Sequence, residues 1–319
     1  MHKLSLILFF NLAFSSMSAQ SIPSTFITNG LIDTEVYLPN IEKGYYRATR
    51  FDWSGVIPTL NYKGHTYFGK WFKKYDPNNH ESIMGPVEEF GVIGYEQAEL
   101  GGDFLKIGVG ILTKPQEDSY SKFKTYEIRD HGSWQTSIRK NEVVFTHELK
   151  SDVRSYAYEK TMKLPDGEAK LIISHSLTNI GNERITTSVY NHNFYQIDSL
   201  NSGKGYVVKF PYEISIEANE LGDFVDIEGN ELVFTKNLGE TDSFYIGDIT
   251  SLKKNERIYE FSIENRVSKA GVNITANRPL SKLAFWSSLK AVCPEPFIAL
   301  DIAPGDTATW EIVYQFYEF

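Results

Sequence analysis

Beyond residue 100 the chain consists of short runs rich in Val, Ile, Tyr, Phe and Thr, separated by turn residues such as Pro165-Asp166-Gly167. The runs cover 104–112, 123–129, 142–149, 156–164, 170–177, 185–194, 206–210, 244–249, 259–263, 272–276, 283–289 and 307–316. No helical period separates them. Closely spaced strands of this kind predict an all-β fold, a large antiparallel β-sandwich or barrel.

The stretch from Lys73 to Gly94 is polar and is predicted to be the longest loop of the chain. A loop of that length in a compact domain is usually functional or packs over a site. Because no βαβ alternation, internal repeat or low-complexity linker interrupts the chain, residues 20–319 are predicted to form one domain.

Alternation within 184–194 indicates what the faces of one strand carry. One face has Tyr190, His192 and Phe194 among its residues, and the other has Asn191 and Asn193. Aromatic and hydrogen-bonding side chains on one face suit a sugar, whose C–H faces stack and whose hydroxyls need partners. An ordinary half-exposed strand is the alternative.

Residues 1–19 are typical of a secretory signal peptide. Lys3 provides a positive start, an apolar stretch from Leu4 to Phe14 follows, and small residues end at Ala19. The apolar stretch is too short to span a bilayer. We therefore expect a periplasmic or secreted protein, cleaved after Ala19, with no membrane anchor after cleavage.

Composition narrows the class of partner. The formal net charge is −9, the pI is about 5.4, and no dense Lys/Arg block is present, so a nucleic acid is not an expected partner. The single cysteine, Cys293, excludes an internal disulfide and a multi-thiolate zinc site. Only His175 and His192 are on nearby strand segments, and no metal is expected.

Two segments carry candidate chemistry. The first is Asn191-His192-Asn193-Phe194, at the end of a predicted strand, and the second is Cys293-Pro294-Glu295-Pro296. Two prolines restrict the backbone on both sides of Glu295, which suits a catalytic base that must be held in place. A rigid Pro-Glu-Pro loop and a structural histidine are the alternatives.

Taken together, the two segments resemble motifs of aldose 1-epimerases (galactose mutarotases). Residues 191–194 resemble the Asn-His-x-(Tyr/Phe) motif, and residues 293–296 resemble the Cys-x-Glu-Pro motif. The resemblance implies a large antiparallel β-sandwich with its site in a concave sheet. It also implies a sugar or oligosaccharide substrate, Glu295 as general base at the anomeric hydroxyl, His192 as general acid at the ring oxygen, and no cofactor.

The resemblance also suggests substrate-binding residues, with one departure. His80 and Gly85 match only part of the family's earlier histidine motif, and Glu88-Glu89 follows unexpectedly. If Glu89 faces the site, it favours a hydroxyl-rich sugar over a uronate; a solvated acidic pair is the alternative. The other candidates for contacting the sugar are Arg50, Tyr190 and Trp286, with Trp53, Trp71 and Trp134 as further possible stacking platforms.

Two other functions remain open at this point. A polysaccharide lyase or hydrolase on the same sandwich would use Tyr190 and His192 as acid and base at a uronate. A non-catalytic glycan-binding domain is favoured by the aromatic content and the incomplete histidine motif.

Overall fold

The computed structural model describes residues 21–151, 154–217, 220–252 and 257–319. The predicted signal peptide, residues 1–19, lies outside them. Within these ranges the chain is built of strands and one 3₁₀ turn, Ile197–Ser199, and no described helix is long and apolar enough to cross a membrane.

The strands follow one another along the chain with short connections. They are β1 (Ser24–Thr28), β2 (Ile32–Tyr37), β3 (Leu60–Tyr62), β4 (His65–Thr66), β5 (Gly85–Phe90), β6 (Asp103–Lys106), β7 (Gly110–Thr113), β8 (Ile128–Asp130), β9 (Ser133–Arg139), β10 (Glu142–Leu149), β11 (Tyr156–Lys163), β12 (Lys170–Asn179), β13 (Ile185–Phe194), β14 (Tyr206–Lys209), β15 (Ile214–Ser215), β16 (Val225–Glu228), β17 (Glu231–Phe234), β18 (Ser243–Ile246), β19 (Thr250–Ser251), β20 (Glu260–Asn265), β21 (Ala270–Ala276), β22 (Lys282–Ser288), β23 (Ala291–Ile302) and β24 (Thr307–Glu318).

Two sheets dominate the architecture. A ten-stranded sheet has the order β16-β17-β14-β20-β21-β24-β12-β11-β10-β9, and a five-stranded sheet has the order β18-β22-β23-β13-β5. Three smaller sheets consist of the four strands from β1 to β4, the three strands from β6 to β8, and the pair formed by β15 and β19. Neighbouring strands in both large sheets pair antiparallel.

The five-stranded sheet packs face to face on the ten-stranded sheet. Phe90 of β5 meets the ring of Tyr158 of β11 edge-on at 5.4 Å, and the Tyr314 hydroxyl of β24 donates to Asn191 Oδ1 of β13 at 2.7 Å. The space between is filled by a large cluster of aliphatic and aromatic side chains. The prediction of an all-β antiparallel β-sandwich is confirmed.

The opposite face of the five-stranded sheet is covered as well. A second apolar cluster there includes Phe51, Phe194 and Cys293. Every residue of β5 is therefore buried, and so are the first six residues of β23. We call the face toward the ten-stranded sheet the core face and the opposite face the site face.

Two local expectations are wrong, and one alternative is excluded. The predicted loop from Lys73 to Gly94 contains β5, an edge strand of the five-stranded sheet. In the predicted strand 123–129, regular pairing begins only at Ile128. The segment from Pro294 to Pro296 is not a loop, because it lies inside the twelve-residue strand β23.

Candidate active site

Strand register brings His192 and Glu295 together. β13 pairs with β23 from Ile185 opposite Ile302 to Tyr190 opposite Phe297, and the bridge between Tyr195 and Val292 keeps the same register. Continuing that register sets His192 directly opposite Glu295, on the same face of the sheet. His192 Nε2 lies 3.0 Å from Glu295 Oε1.

The flanking prolines explain the break in the ladder between these two bridged stretches. Pro294 and Pro296 have no N–H to donate, so backbone pairing with β13 is lost around Glu295. The Asn193 side chain compensates in part, since its Nδ2 donates to the carbonyl of Pro294 at 3.1 Å. The prolines thus give Glu295 a restricted backbone within a sheet.

Aromatic rings enclose the pair. The imidazole of His192 stacks on Phe194 with ring centroids 3.8 Å apart and planes 5° apart, and Phe194 stacks in turn on Trp71 at 5.2 Å. Phe51 and Trp286 present their rings to His192 at steep angles. His192 and Glu295 are each only 3% exposed.

Burial and mutual contact set the charge state of the pair. Burial lowers the pKa of His192 below its usual 6.5, although Glu295 acts in the opposite direction. Burial raises the pKa of Glu295, but the adjacent His192 outweighs it, so this pKa lies below 4.5. Near neutral pH the unliganded pair is therefore a carboxylate accepting from a neutral imidazole.

Each partner keeps an unused atom. Glu295 Oε2 and His192 Nδ1 are buried and have no hydrogen-bond partner. A buried ionised oxygen without a donor is unfavourable unless a ligand provides one. Glu295 thus retains acceptor capacity for a hydroxyl group.

The pair lies at a cavity of about 510 Å³, in the size range of small-molecule sites. The wall combines aromatic, charged and hydroxyl side chains. The lining residues are Arg50, Trp71, His80, Glu81, Lys122, Phe123, His192, Phe194, Ser243, Tyr245, Trp286 and Glu295.

Of the predicted sugar-contacting residues, Arg50, His80 and Trp286 line this cavity, whereas Glu89 and Tyr190 do not. Glu89 is not solvated: it is 5% exposed and accepts from Arg50 Nε at 2.7 Å. Tyr190 donates to the same carboxylate and accepts from Arg50 Nη2 at 3.1 Å.

The charge on Glu89 is compensated. Burial raises its pKa, but Lys106 and Arg50 outweigh it and lower the pKa to about 2. Lys106 Nζ lies 3.6 Å from Glu89 Oε1. Glu89 therefore holds the Arg50 guanidinium in position. Because the Glu89 carboxylate is paired with two cations and does not line the cavity, it gives no reason to expect repulsion of a uronate.

His80 is placed at the rim. Its Nε2 lies 3.7 Å from Glu81 Oε1, and its ring meets Phe123 edge-on at 5.5 Å. Burial lowers the His80 pKa, so its imidazole is neutral near neutral pH. A neutral imidazole both donates and accepts, which suits a sugar hydroxyl.

Sequence reasoning missed several cavity residues. Phe123 is the first residue of the predicted strand 123–129, and Lys122 directly precedes it. Ser243 and Tyr245 are on the edge strand β18. Of the four tryptophans considered, Trp71 and Trp286 line the cavity, whereas Trp134 stacks on His147 elsewhere. The cross-strand pairing of Tyr245 with Trp286 is a signal available only once register is known.

Among the residues that the structure describes, no group of three or more His, Cys, Asp or Glu side chains is arranged to hold a metal ion.

No family model matches this chain, and no curated protein sequence matches it. Solved structures do match. The Slr1438 protein of Synechocystis is 11% identical with a TM-score of 0.57, covering 98% of this chain and 100% of that one. A galactose mutarotase-like protein of Lactobacillus casei is 13% identical with a TM-score of 0.55, covering 92% and 100%. The GalM/aldose epimerase homologue of C. elegans is 14% identical with a TM-score of 0.53, covering 92% and 99%.

At these identities the likeness concerns the fold. The chain has the β-sandwich fold of galactose mutarotase-like proteins over nearly its whole described length. The fold does not determine the activity, which depends on the residues of the cavity.

Proposed function

We propose that this protein is an aldose 1-epimerase-like isomerase that interconverts the anomers of a free sugar or of an oligosaccharide reducing end. The observation that carries the proposal is the 3.0 Å contact between His192 Nε2 and Glu295 Oε1 at an aromatic-walled cavity. Anomer exchange needs one base and one acid acting on two oxygens bonded to the same carbon. An adjacent carboxylate and imidazole meet that need without a cofactor in the scheme.

Glu295 is the base in this proposal. Its lowered pKa keeps it ionised, and Oε2 has no competing donor. A sugar bound with its anomeric hydroxyl at this oxygen loses the hydroxyl proton to Glu295 as the bond from C1 to the ring oxygen breaks.

His192 is the acid. As the C1–O5 bond breaks, protonated His192 gives its proton to the ring oxygen and becomes neutral, while Glu295 becomes protonated. Rotation about C1–C2 exposes the other face of the aldehyde, and ring closure returns both protons in the reverse direction. The contact between Nε2 and Oε1 is exchanged for contacts with the two sugar oxygens during this cycle.

The cavity wall provides the binding groups. Trp71 and Trp286 offer apolar surface to the C–H faces of a pyranose, and Arg50 offers donors to its hydroxyls. Arg50 is held in place by Glu89 and Tyr190, so little side-chain freedom is lost when a sugar binds.

Mutarotation of freshly dissolved sugars, followed by polarimetry or NMR, tests the proposal. We expect Glu295→Gln and His192→Gln each to reduce kcat by about 10²- to 10⁴-fold. The double variant should be little slower than the slower single variant, because the two groups act as a unit. Glu81→Gln, which removes a cavity carboxylate that does not contact His192, should stay within about tenfold of the wild type.

Equal rates for the wild type and Glu295→Gln across a panel of aldoses and reducing oligosaccharides would refute the isomerase. A glycan-binding protein is then the second candidate. It is favoured by one observation, that His192 and Glu295 contact each other and are almost fully buried. Calorimetric binding without turnover, retained in the double variant, would support it.

We also propose that the protein is exported, on the strength of the sequence of residues 1–19. Cell fractionation and N-terminal sequencing of the mature protein test this. A cytoplasmic protein that retains Met1 would exclude export.

A further inference from the structure

A second cleft opens beside the candidate active site. Its volume is about 690 Å³, and it shares Trp71 and Glu81 with the first cavity. Four lysines line it: Lys70, Lys73, Lys74 and Lys290. We call it the basic cleft.

The same elements build the two cavities. Lys290 is in the turn between β22, which carries Trp286, and β23, which carries Glu295. Lys70, Lys73 and Lys74 flank Trp71, whose ring stacks indirectly on His192 through Phe194. A ligand that extends out of the first cavity past Trp71 therefore enters the basic cleft.

The positive charge of the cleft is only partly compensated. Lys73 pairs with Glu240 at 3.1 Å. In the part of the chain that the structure describes, Lys70, Lys74 and Lys290 have no carboxylate within 4.0 Å, and the contact recorded for Lys70 is with the ring of Phe72. In a protein of net charge −9, such a concentration of cations attracts anions locally.

The first cavity carries a matching cation. Lys122 lines it with Arg50; its Nζ lies 5.5 Å from the ring centroid of Phe123 and 5.6 Å from that of Tyr190, and its charge lowers the pKa of both Glu89 and Glu295. Among the described residues no carboxylate lies within ion-pair distance of this ammonium group, so it remains available to an anionic substituent of a bound sugar.

We propose that the basic cleft is an extended subsite for an acidic oligosaccharide, with its reducing end in the first cavity and its carboxylate- or sulfate-bearing units along Lys70, Lys74 and Lys290. The inference rests on the proposed function only for the position of the reducing end. Trp71 is the platform between the two parts, because a half-exposed indole suits a sugar ring that passes from one cavity to the next.

Calorimetry with three probes tests the subsite. The probes are tetragalacturonate, its neutral methyl ester and a sulfated κ-carrageenan tetrasaccharide, so the arms separate charge from backbone and carboxylate from sulfate. We expect at least one acidic probe to bind more tightly than the neutral ester, with an affinity that falls as salt is added.

Lys74→Ala/Lys290→Ala should weaken binding of that acidic probe by roughly five- to thirtyfold and change binding of the ester by less than about twofold. The control is Lys140→Ala/Lys163→Ala, which removes the same charge from exposed positions beside β9 to β11, away from both cavities. It should bind like the wild type. Thermal melting checks that both double variants remain folded.

Mutarotation by the wild type separates this proposal from the isomerase. If the acidic probe binds the wild type and is weakened by Lys74→Ala/Lys290→Ala while the wild type anomerises no sugar, the subsite stands and the isomerase falls. The subsite is overturned if neither acid binds more tightly than the ester. It is also overturned if both double variants lose affinity equally, since bulk charge then explains the binding.

Discussion

Each face of the five-stranded sheet presents one glutamate to an imidazole: Glu88 of β5 contacts His175 of β12 in the facing ten-stranded sheet, and Glu295 of β23 contacts His192 of the neighbouring strand β13. On the core face, His175 Nε2 lies 2.9 Å from Glu88 Oε1. On the site face, His192 Nε2 lies 3.0 Å from Glu295 Oε1. Both imidazoles also stack on an aromatic ring, Trp310 for His175 and Phe194 for His192.

The two carboxylates differ in how many of their oxygens accept a hydrogen bond. Glu88 uses both oxygens, because Lys160 donates to Oε2 and Asn191 Nδ2 donates to Oε1 at 3.0 Å. Glu295 uses only Oε1, and its other oxygen is near a cavity with no donor. A buried carboxylate that accepts hydrogen bonds at both oxygens stabilises the fold, whereas a carboxylate with one unbonded oxygen at a cavity has capacity left for a substrate.

The largest expected effect breaks the core-face pair. Glu88→Gln removes the carboxylate nearest to the fully buried Lys160 and leaves it only Asp52, 3.6 Å from its Nζ, so it should cost about 3–5 kcal/mol of unfolding free energy. Urea unfolding measures this loss. Glu88→Gln/Lys160→Met should recover part of it, because the buried ammonium is gone although Asp52 then loses its cation. A single variant as stable as the wild type would contradict the structural role of the pair.

A smaller effect is expected from the hydrogen bonds that hold Arg50 in position on the site face. Tyr190→Phe removes one hydrogen bond each to Arg50 and Glu89, so it should cost about 1 kcal/mol of stability. Mutarotation should stay within about tenfold of the wild type, because Tyr190 does not line the cavity. A loss as large as that of Glu295→Gln would instead indicate that Tyr190 takes part in the chemistry, as the lyase alternative requires.

The finest test is the pH profile of kcat/KM. Activity requires ionised Glu295, which is lost as pH falls through a pKa below 4.5, and protonated His192, which is lost as pH rises through a pKa below 6.5. The profile should therefore be bell-shaped with its optimum below pH 6.5. An alkaline limb above pH 7 would contradict the lowered histidine pKa or the role of His192 as acid.

Much of the fold follows from the sequence, because strands such as β10 to β12 alternate in the ordinary way between buried, mostly apolar positions and more exposed, mostly polar positions. β5 is the exception. Gly85, Pro86 and two glutamates are poor strand formers, and they indicated a loop. Only tertiary partners make this strand possible: Lys160 neutralises Glu88 and His175 contacts it on one face, while Arg50 and Lys106 neutralise Glu89 on the other.

The candidate site was predicted only in part, because it too depends on contacts between residues distant in the sequence. Motifs identified His192 and Glu295, but their contact depends on the register between β13 and β23, which a sequence does not state. The charge state of the pair also depends on the fold, since burial lowers the pKa of His192 by more than Glu295 raises it. Lys122 and Tyr245 belong to segments whose placement only the folded chain defines.

The register between β13 and β23 also limits which insertions the sequence can accept without moving His192 away from Glu295. Side chains alternate along a strand, so inserting one residue between Tyr190 and Tyr195 would turn the imidazole inward and present an asparagine amide to the cavity. Between the two strands the connecting loops can change in length and composition without disturbing that alignment, provided that β22 keeps its pairing with β23. Distant homologues are therefore better sought by matching two short windows of fixed phase than by overall identity, which is already as low as 11% among proteins of this shape.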